Sequence, residues 1–388
     1  MHSSLTQPVL GILGGGQLAK MLAQAAAPMG ARIILLHHGD ANSVLPSCPV
    51  RFGNWNDPDT LCDFARDCDV VTLENEFIEA DALAAVEAAG HRLFPSAATM
   101  ALVQDKFLQK QTLAEAGLPV PDFRVVESPE EVVEAAKAWG WPLVLKRRTL
   151  GYDGKGNATI HAAVEVPAAW GKLGGDTNAL YAERYCAFDR ELALIVTRGK
   201  SEIRNPKSEL AIYPVVDTVQ RDHICHTVTA PARLTPEQAA AAAEIGRRAV
   251  QAIDGVGSFG VELFLMPDER ILVNEMAPRV HNSGHYTIEA CDCSQFENHI
   301  RAVLGWPLGS PALRAPAAAM MNLLGAADGP AMPNGMAEAL AIPGAHIHIY
   351  GKDRSVKGRK MGHVTALGAT PEEALALAQR AAQLIRFG

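Results

Sequence analysis

Two acidic residues, Glu262 and Glu275, stand in neighbouring apolar segments that a short polar turn joins. If the turn centres on Asp268 and Glu269, the two carboxylates lie directly opposite each other on adjacent antiparallel strands. Facing carboxylates repel each other, so this pair favours a divalent cation between them. A few protein oxygens completed by substrate phosphates suit Mg²⁺, with Mn²⁺ as a substitute. An ordinary exposed hairpin is the alternative, and strict alternation turns Asn274 to the opposite face unless a bulge intervenes.

A glycine-rich segment provides a second candidate for phosphate chemistry. Residues 151–157 contain three glycines together with Lys155, and they follow Lys146 at the end of an apolar strand. Such a loop can fold over a triphosphate, with its backbone N–H groups facing the oxygens and the lysines neutralising charge. A solvated surface hairpin is the alternative interpretation.

Polar side chains crowd the residues directly after the second acidic strand. Arg279 can hold a planar oxyanion with two hydrogen bonds, while Asn282 and Ser283 can orient it. A later basic cluster, Lys352 with the stretch 358–363, suits a phosphomonoester substrate. Solvated lysines and arginines are the competing explanation for that cluster.

A glycine turn at residues 11–17 lies between a predicted strand and a predicted helix. Glycines admit an anion close to the backbone, and a helix N-terminus adds N–H groups and positive potential. A dinucleotide site needs an acidic residue at the end of the second strand, but that strand ends at His37 and His38, and Asp40 comes late. A phosphate site for another ligand and a purely structural turn both stay open.

The composition of this 388-residue chain narrows the class of protein. Its formal net charge is -8, which gives no indication of nucleic-acid binding, and no apolar run is long enough to cross a membrane. Seven cysteines without regular spacing argue against a disulfide framework. No basic segment followed by an apolar core indicates a signal peptide. We therefore expect a cytoplasmic enzyme that binds neither nucleic acid nor a membrane.

The elements that must position these residues alternate in type along the chain. Short apolar segments and alanine-rich helical stretches alternate through the first hundred residues, which predicts a parallel sheet covered by helices. A helix carrying Lys106 and Lys110 then leads into a largely strand-like region. We predict an α/β protein with a Rossmann-like domain at 1–103, a central domain at 104–300 and a small C-terminal domain at 301–388.

These motifs, in this order, resemble the ATP-grasp superfamily and, within it, the 5-(carboxyamino)imidazole ribonucleotide synthase (PurK) family. The resemblance rests on GILGGGQLAKM near the N-terminus, TLENE at 72–76, KRRTLGYDGKGN at 146–157, NEMAPRVHNSGH at 274–285 and YGKDRSVKGRKMGH at 350–363. These segments span nearly the whole chain, and the run after the acidic strand is the most diagnostic. The resemblance implies an ATP-grasp fold behind the Rossmann-like domain.

The resemblance also implies roles for individual residues. Lys106 and Lys146 would contact the ATP phosphates, Glu191 would hold the ribose, and Glu262 and Glu275 would bind Mg²⁺ beside Asn274. The loop that closes over the phosphates comprises Gly151, Tyr152, Asp153, Gly154, Lys155, Gly156 and Asn157. Glu183 and the backbone near Cys186 would hold the adenine, and the nucleotide-binding segment comprises Glu183, Arg184, Tyr185 and Cys186. The catalytic residues around bicarbonate or carboxyphosphate are Arg279, His281, Asn282 and Ser283, with Tyr152 and Asp153. The residues around the ribonucleotide are Gly15, Gln17, Leu18, Glu76, Tyr152, Lys352, Arg359 and Lys360.

One position departs from the family pattern. Members often carry a histidine where Gln220 stands, after a strand that we predict from Ile212 to Val216. The departure affects one expected nucleotide contact, at Gln220, and whether His223 replaces the histidine stays open.

The activity that the resemblance implies is ATP- and bicarbonate-dependent carboxylation of aminoimidazole ribonucleotide in de novo purine (IMP) biosynthesis, by a homodimer. ATP would phosphorylate bicarbonate to carboxyphosphate, and the exocyclic amine would capture the carboxyl group directly or as released CO₂. The first competing hypothesis is an ATP-grasp ligase for a different acid, and the ribonucleotide end of the chain separates the two. An NAD-binding oxidoreductase and a non-catalytic nucleotide-binding module are two further hypotheses from different classes of protein.

Overall fold

The computed structural model describes residues 7–38, 48–149, 156–200 and 210–388. Among these residues, no helix is both long and apolar enough to span a lipid bilayer. The members of the predicted glycine loop that lie outside the described residues are Gly151, Tyr152, Asp153, Gly154 and Lys155.

The N-terminal region is a parallel sheet, as the alternating strands and helices predicted. Leu10 and Ile12 pack on one side of the sheet, and Val71 and Leu73 pack on the other. Apolar residues fill both faces because helices cover both. The strands are β1 (Val9–Leu13), β2 (Arg32–His37), β3 (Val50–Phe52) and β4 (Val70–Leu73), and the helices are α1 (Gln17–Ala26), α2 (Pro58–Ala65) and α3 (Ala80–Ala88). The order across the sheet is β3-β2-β1-β4.

A small antiparallel sheet follows, with its helices. The helices before it are α4 (Ala97–Gln104) and α5 (Lys106–Glu115), and those that pack against it are α6 (Pro129–Trp139) and α7 (Val166–Leu173). The strands are β5 (Phe123–Val126), β6 (Leu143–Arg147), β7 (Asn157–Ile160) and β8 (Leu180–Arg184), in the order β5-β8-β6-β7.

Helix α5 begins at Lys106 because Asp105 caps it. The Asp105 carboxylate accepts hydrogen bonds from the N–H groups of Phe107 at 2.9 Å and Leu108 at 3.1 Å. The Lys106 N–H donates to the Arg148 carbonyl at 2.7 Å, which ties the start of α5 to the end of β6. The cap therefore fixes Lys106 near the strand that carries Lys146.

The largest sheet has nine strands in the described chain, and its strands pair antiparallel. Helix α8 packs on the sheet near β9, β13 and β14, and helix α12 packs on it near β15 and β19. Its strands are β9 (Arg190–Arg198), β10 (Leu210–Ile212), β11 (Val216–Arg221), β12 (Ile224–Ala230), β13 (Gly257–Leu265), β14 (Ile271–Ala277), β15 (Ala317–Leu324), β17 (Ala345–Ile349) and β19 (Lys360–Gly368). The order is β14-β13-β9-β11-β12-β15-β19-β17, and β10 pairs with β9. The other elements of this half are α8 (Pro236–Ala252), α9 (Thr287–Ala290), α10 (Gln295–Leu304), β16 (Gly329–Pro330), α11 (Met336–Leu340), β18 (Arg354–Ser355) and α12 (Pro371–Ala382).

The strands of the C-terminal region extend this large sheet. β15 pairs with β12, and β19 and β17 continue the sheet beyond β15. The basic stretch that begins near Lys352 therefore connects β17 to β19 of the same sheet that contains the acidic hairpin of β13 and β14, and β18 within it pairs with β16 outside that sheet.

The predicted strand from Ile212 to Val216 is wrong. The structure has β10 ending at Ile212 and β11 beginning at Val216. Pro214 lies between them, and its lack of an N–H interrupts strand pairing.

Candidate functional site

A cleft of about 540 Å³ brings together residues that are far apart in the sequence. Strands of the small antiparallel sheet and of the large sheet contribute to its lining, together with α1, α5 and the residues that follow β4. The predicted residues that line it are Gln17, Leu18, Glu76, Lys106, Lys146, Gly156, Asn157, Glu191, Gln220, Glu262, Asn274, Glu275, Arg279, His281, Asn282, Lys352, Arg359 and Lys360. The predicted residues that are described but do not line it are Gly15, Glu183, Arg184, Tyr185, Cys186 and Ser283.

The predicted carboxylate pair is present in the hairpin of β13 and β14. Glu262 pairs with Glu275 in the strand register. The assumed turn was wrong by one residue, because Leu265 pairs with Ile271, one position short of the register that the predicted turn gives. A bulge before Glu275 restores the predicted pairing.

The bulge is at Asn274 and changes the direction of its side chain. Leu263 pairs with Val273 while Glu262 pairs with Glu275, so Asn274 is an extra residue on β14. An extra residue breaks the alternation of faces along a strand. Asn274 and Glu275 therefore both line the cleft, and strict alternation was the wrong assumption here. The Asn274 amide nitrogen lies 3.5 Å from Glu262 Oε2.

The charges around the pair fit a cation shared with a substrate. Burial and, next, the charge of Glu275 raise the pKa of Glu262 to about 8. Lys106 Nζ lies 3.4 Å from Glu275 Oε2, and His281 Nε2 lies 3.5 Å from Glu262 Oε1. The described residues contain no group of three or more His, Cys, Asp or Glu side chains that could hold a metal by themselves. Two carboxylates and an amide oxygen fit Mg²⁺ that takes its other ligands from phosphates.

Glu183 is buried on β8 between two lysines. Its Oε1 lies 2.9 Å from Lys146 Nζ, and its Oε2 lies 2.9 Å from Lys110 Nζ. Burial alone would raise the pKa of Glu183, but the charges of Lys110 and Lys146 hold it below its ordinary value. The carboxylate therefore positions Lys146 and lies outside the lining of the cleft, which differs from the predicted adenine contact.

Arg279 and Glu76 form a two-point ion pair in the lining of the cleft. Arg279 Nε donates to Glu76 Oε2, and Arg279 Nη2 donates to Glu76 Oε1 at 3.0 Å. Burial alone would raise the pKa of Glu76, but the Arg279 guanidinium lowers it to about 2. Arg279, which was predicted to bind an oxyanion, thus binds the carboxylate of Glu76 in this structure.

The residues after Arg279 support one another. Ser283 is buried, and its hydroxyl lies 2.9 Å from His281 Nδ1, so it orients the imidazole. Burial, followed by the charges of Arg279 and Lys360, lowers the pKa of His281 to about 3. The imidazole is therefore neutral at physiological pH and lines the cleft as a hydrogen-bonding group.

Asn282 is held by an amide pair across the sheet. Its Nδ2 donates to Asn322 Oδ1 at 3.0 Å, and Asn322 Nδ2 donates back to Asn282 Oδ1 at 2.6 Å. Asn322 belongs to β15, so the C-terminal region fixes a predicted catalytic side chain of the central region.

The N-terminal glycine turn holds a carboxylate of the chain itself. The Gly16 N–H donates to Glu74 Oε1 at 3.1 Å, and the Ala19 N–H donates to Glu74 Oε2 at 3.3 Å. A Cβ at Gly14 would lie 2.2 Å from Glu74 Cγ, so the turn needs glycine to admit this side chain. Glu74 thus lies where a helix N-terminus otherwise binds an external anion.

The same turn still borders the cleft through its next residues. Gln17 and Leu18 line the cleft, whereas Gly15 does not. Glu74 was not among the predicted site residues, although the motif TLENE contains it.

The C-terminal basic cluster lies on the same cleft as the acidic hairpin. Lys352, Arg359 and Lys360 line it. Lys20 Nζ donates to the Ile349 carbonyl at 2.9 Å, which ties α1 to β17 beside this cluster. The cluster therefore faces the same cleft as Gln17 and Leu18 at the start of α1.

Comparison with known proteins gives a consistent family. Family models match residues 8–104 (ribonucleotide synthetase preATP-grasp domain), 111–296 (ATP-grasp domain) and 318–377 (phosphoribosylaminoimidazole carboxylase C-terminal domain). The chain is 41% identical to the phosphoribosylaminoimidazole carboxylase of Schizosaccharomyces pombe over 94% of its own length, but it spans only 66% of that protein. It is 40% identical to the N5-carboxyaminoimidazole ribonucleotide synthase of Synechococcus elongatus, and the match covers 94% of this chain and 91% of that protein. The chain belongs to the N5-carboxyaminoimidazole ribonucleotide synthase family.

A solved structure of this synthase family has the same fold. It is the enzyme from Aspergillus clavatus in complex with ADP and 5-aminoimidazole ribonucleotide. Its TM-score is 0.86 at 36% identity, and the match covers 97% of this chain and 98% of that chain. The predicted ATP-grasp fold and family are confirmed, so the N-terminal sheet does not make the chain an NAD-binding oxidoreductase.

Three residues of the expected adenine segment of an ATP-grasp ligase lie at the end of β8. Arg184 is exposed and its Nη1 donates to Asp122 Oδ2 at 3.2 Å. Tyr185 is 43% exposed, and Cys186 is partly buried. These side chains lie outside the lining of the cleft, and the predicted adenine contact of the backbone near Cys186 stays a prediction.

Gln220 and His223, the two residues that could take the place of the histidine common in the synthase family, both line the cleft. Gln220 lies at the register shift between β11 and β12, and His223 lies in the turn that joins those strands. The sequence could not choose between them because a bulge decides which side chains of this hairpin face inward.

Nine residues line the cleft that the sequence did not mark as site residues. They are Glu74, Asn75, Phe77, Arg147, Tyr181, Cys225, Ala277, His285 and Gly358. Most of them adjoin a recognised motif, whereas Tyr181 is an ordinary buried strand residue with no signal in the sequence.

Proposed function

We propose that this chain catalyses the ATP- and bicarbonate-dependent carboxylation of the exocyclic amine of 5-aminoimidazole ribonucleotide. The products would be N5-carboxyaminoimidazole ribonucleotide, ADP and phosphate, as a step of purine synthesis. The observation that carries the proposal is one cleft that joins the Glu262 and Glu275 pair to the Lys352, Arg359 and Lys360 cluster. The relatives named above as carboxylases and synthases support the same reaction.

The chemistry needs an activated carboxyl group. Bicarbonate is a poor electrophile, and transfer of the γ-phosphoryl group of ATP to one of its oxygens supplies a leaving group. The amine then captures the carboxyl carbon, either from carboxyphosphate or from CO₂ released beside it. The protein contributes placement and charge neutralisation, with no covalent nucleophile required.

The positive charges of the cleft would divide between the two substrates. Lys106 and Lys146 would contact the phosphates of ATP, and Glu191 would hold its ribose. Mg²⁺, with Mn²⁺ as a substitute, would sit between Glu262 and Glu275 and neutralise charge on the phosphate oxygens.

The reacting carbonate would lie where the two ends of the cleft meet. His281 contacts Glu262 on one side, and the charge of Lys360 acts on the pKa of both residues. Arg279 would exchange part of its contact with Glu76 for the oxyanion. Asn282 and Ser283 would act by holding this segment in place.

The ribonucleotide would lie at the basic end of the cleft. Its phosphate would meet Arg359 and Lys360, and the rest of it would meet Gln17, Leu18 and Glu76. The predicted loop residues Tyr152 and Asp153 belong to this proposal as a lid, which keeps water from carboxyphosphate.

Three broader properties accompany the proposal. The division into 1–103, 104–300 and 301–388 is supported by the ranges of the three matching family models. All seven cysteines are free thiols, which supports a reducing, cytoplasmic location. A homodimer is what the family resemblance implies, and light scattering on the purified protein would measure it.

One assay tests the proposed reaction. ADP release is measured with MgATP, bicarbonate and aminoimidazole ribonucleotide, and each component is then omitted in turn. We expect turnover to need all three. Turnover that does not depend on the ribonucleotide would mean that this is a ligase for another acceptor.

A further inference from the structure

The outer edge of strand β14 is paired with side chains of a helix. β14 lies at the edge of the large sheet, next to β13 alone. The Met276 N–H donates to Gln109 Oε1 at 2.8 Å, and Gln109 Nε2 donates to the Met276 carbonyl at 3.0 Å. The carboxamide of Gln109 thus pairs with Met276 as the backbone of a neighbouring strand would.

The next residue of the helix supports the bulge itself. A bulge leaves its extra residue without a regular ladder partner. Lys110 Nζ donates to the carbonyl of that extra residue, Asn274, at 2.9 Å, while it also contacts Glu183. The ammonium group therefore gives the Asn274 carbonyl, which the hairpin does not pair, a charge-assisted hydrogen bond.

These two contacts enclose Glu275. Asn274 is anchored on one side of it and Met276 on the other, and both anchors come from the buried face of α5. Lys106 reaches the Glu275 carboxylate from the same helix at 3.4 Å. Positions three and four apart share one helix face, so Lys106, Gln109 and Lys110 all reach β14 from one side.

The register of β14 depends on these contacts. A slip of one residue in β14 would turn Glu275 away from Glu262 and remove the bulge that brings Asn274 to the cleft. Edge strands are prone to such slips because only one neighbour fixes them. Helix α5 supplies a second neighbour at Asn274 and Met276, beyond the point where the Val273 N–H donates to the Pro119 carbonyl at 2.8 Å.

We propose that Gln109 and Lys110 are positioning residues that hold the bulge of β14, so that Asn274 and Glu275 face the bound metal and nucleotide together. The proposal rests on the metal role of Glu262 and Glu275 within the proposed function. Neither Gln109 nor Lys110 lines the cleft, so both act through the strand.

Metal binding to the full chain tests this role without any turnover. Mn²⁺ is titrated in the presence of ADP, and free Mn²⁺ is followed by electron paramagnetic resonance. We expect Gln109→Leu to weaken Mn²⁺ binding by about 10- to 100-fold, the usual effect of losing a group that orients a metal ligand. The affinity for ADP alone, measured without metal, should stay close to that of the unmodified chain.

Two further variants make the result decisive. Thr99→Val is the matched control, because it removes another buried hydrogen bond from a side chain to the backbone, that from Thr99 Oγ1 to the Ile253 carbonyl at 3.0 Å. It should lower the unfolding temperature but leave Mn²⁺ affinity unchanged. Gln109→Glu keeps the acceptor for the Met276 N–H and loses the donor to its carbonyl, so it should weaken Mn²⁺ binding less than Gln109→Leu.

The outcomes separate the two proposals. If both Gln109 variants bind Mn²⁺ as the unmodified chain does, while they lose stability as Thr99→Val does, Gln109 is merely structural and the inference is wrong. If Gln109→Leu does not fold, Gln109→Glu decides by the same comparison. Mn²⁺ binding with ADP does not involve the acceptor substrate, so failure of the carboxylation assay would leave this test intact.

Discussion

Arg279 and Glu76 lie 203 residues apart in the chain and form a two-point ion pair in the lining of the cleft. Glu76 follows β4 of the N-terminal sheet, and Arg279 follows β14 of the large sheet. The pair therefore joins the two regions of the chain that would hold the ribonucleotide and the metal. If the proposed function is right, a bound substrate would compete for one of the two partners.

Replacing Glu76 by glutamine should destabilise the fold in a pH-dependent way. We expect the free energy of unfolding at pH 7 to fall by about 2 kcal/mol, the order of a hydrogen bond between charged groups. The folded pKa of Glu76, about 2, lies below its ordinary value of 4.5, so the carboxylate stabilises the fold above pH 4.5. That contribution is lost as the pH falls from about 4.5 towards 2, and the variant and the unmodified chain should converge there.

Urea unfolding at pH 7, 5 and 3 measures this difference. Asp63→Asn is the control, because Asp63 and its partner Arg66 are each 69% exposed and such a pair contributes little. A pH-independent difference between Glu76→Gln and the unmodified chain would contradict the assigned ion pair.

Glu275→Gln should abolish metal-dependent turnover and leave the fold intact. The variant loses one of the two facing carboxylates that would bind Mg²⁺, and it also relieves the repulsion that, after burial, raises the pKa of Glu262. We expect ADP release to fall by at least about 100-fold, the order of removing a group that stabilises charge in the transition state. The unfolding temperature without metal should stay equal or rise.

Steady-state turnover and thermal unfolding of the same samples test this prediction. Asp268→Asn is the control, since Asp268 is an exposed residue in the turn of the same hairpin. Near-normal activity of Glu275→Gln would contradict the proposal that Glu275 binds the metal.

The two lysines on Glu183 should respond differently to replacement by methionine. Lys110→Met should cost about 3–5 kcal/mol of stability, because it leaves one oxygen of a buried carboxylate without its charge partner. In Lys146→Met, Lys110 still holds Glu183, so the loss of stability should be smaller. The KM for ATP should rise about tenfold or more in Lys146→Met, since Lys146 itself lines the cleft.

Chemical unfolding and ATP titration of both variants separate stability from nucleotide binding. Lys137→Met serves as the control, because Lys137 and Glu134 form an exposed pair on α6. Equal stability losses at Lys110 and Lys146, with no change in KM for ATP, would contradict the separate roles.

Gly14→Ala should destabilise the N-terminal region strongly. Gly14 has φ of +124°, which strains any other residue, and a Cβ there would collide with Glu74. Backbone strain alone costs about 1–3 kcal/mol, and the collision adds to it. Gly90→Ala provides the matched control, since Gly90 has φ of +86° but nothing within 4 Å of a new Cβ.

The two glycine variants are compared by their unfolding midpoints in urea. The difference between them measures the contact with Glu74 together with the difference in backbone strain between φ of +124° and φ of +86°. If both lose the same stability, the close approach of Glu74 to the turn is wrong.

Several elements were predictable because they depend on local pattern. Strand β4 spans Val70–Leu73 and helix α10 spans Gln295–Leu304, as the residue pattern of each segment predicts. The strand from Ile212 to Val216 failed because Pro214 interrupts the ladder, a signal that the sequence did contain.

The site was predictable as a set of residues and less so as a set of contacts. Glu262 and Glu275 were expected to face each other, and they do. The predicted pairing assumed a turn that is off by one residue, and the bulge at Asn274 compensates. Bulges have no local sequence signature here, because the contacts that stabilise this one come from Gln109 and Lys110 on a distant helix.

The sequence by itself determined the family, the ATP-grasp fold and most of the residues that line the cleft, since motif identity and apolar periodicity are properties of the chain alone. Only the tertiary structure decided that Asn274 turns inward, that Glu183 lies between two lysines and that Glu74 fills the glycine turn. Each of those outcomes depends on which hydrogen-bond or charge partner a buried carboxylate or carbonyl group finds. That partner comes from elsewhere in the chain and is fixed only when the sheets pack.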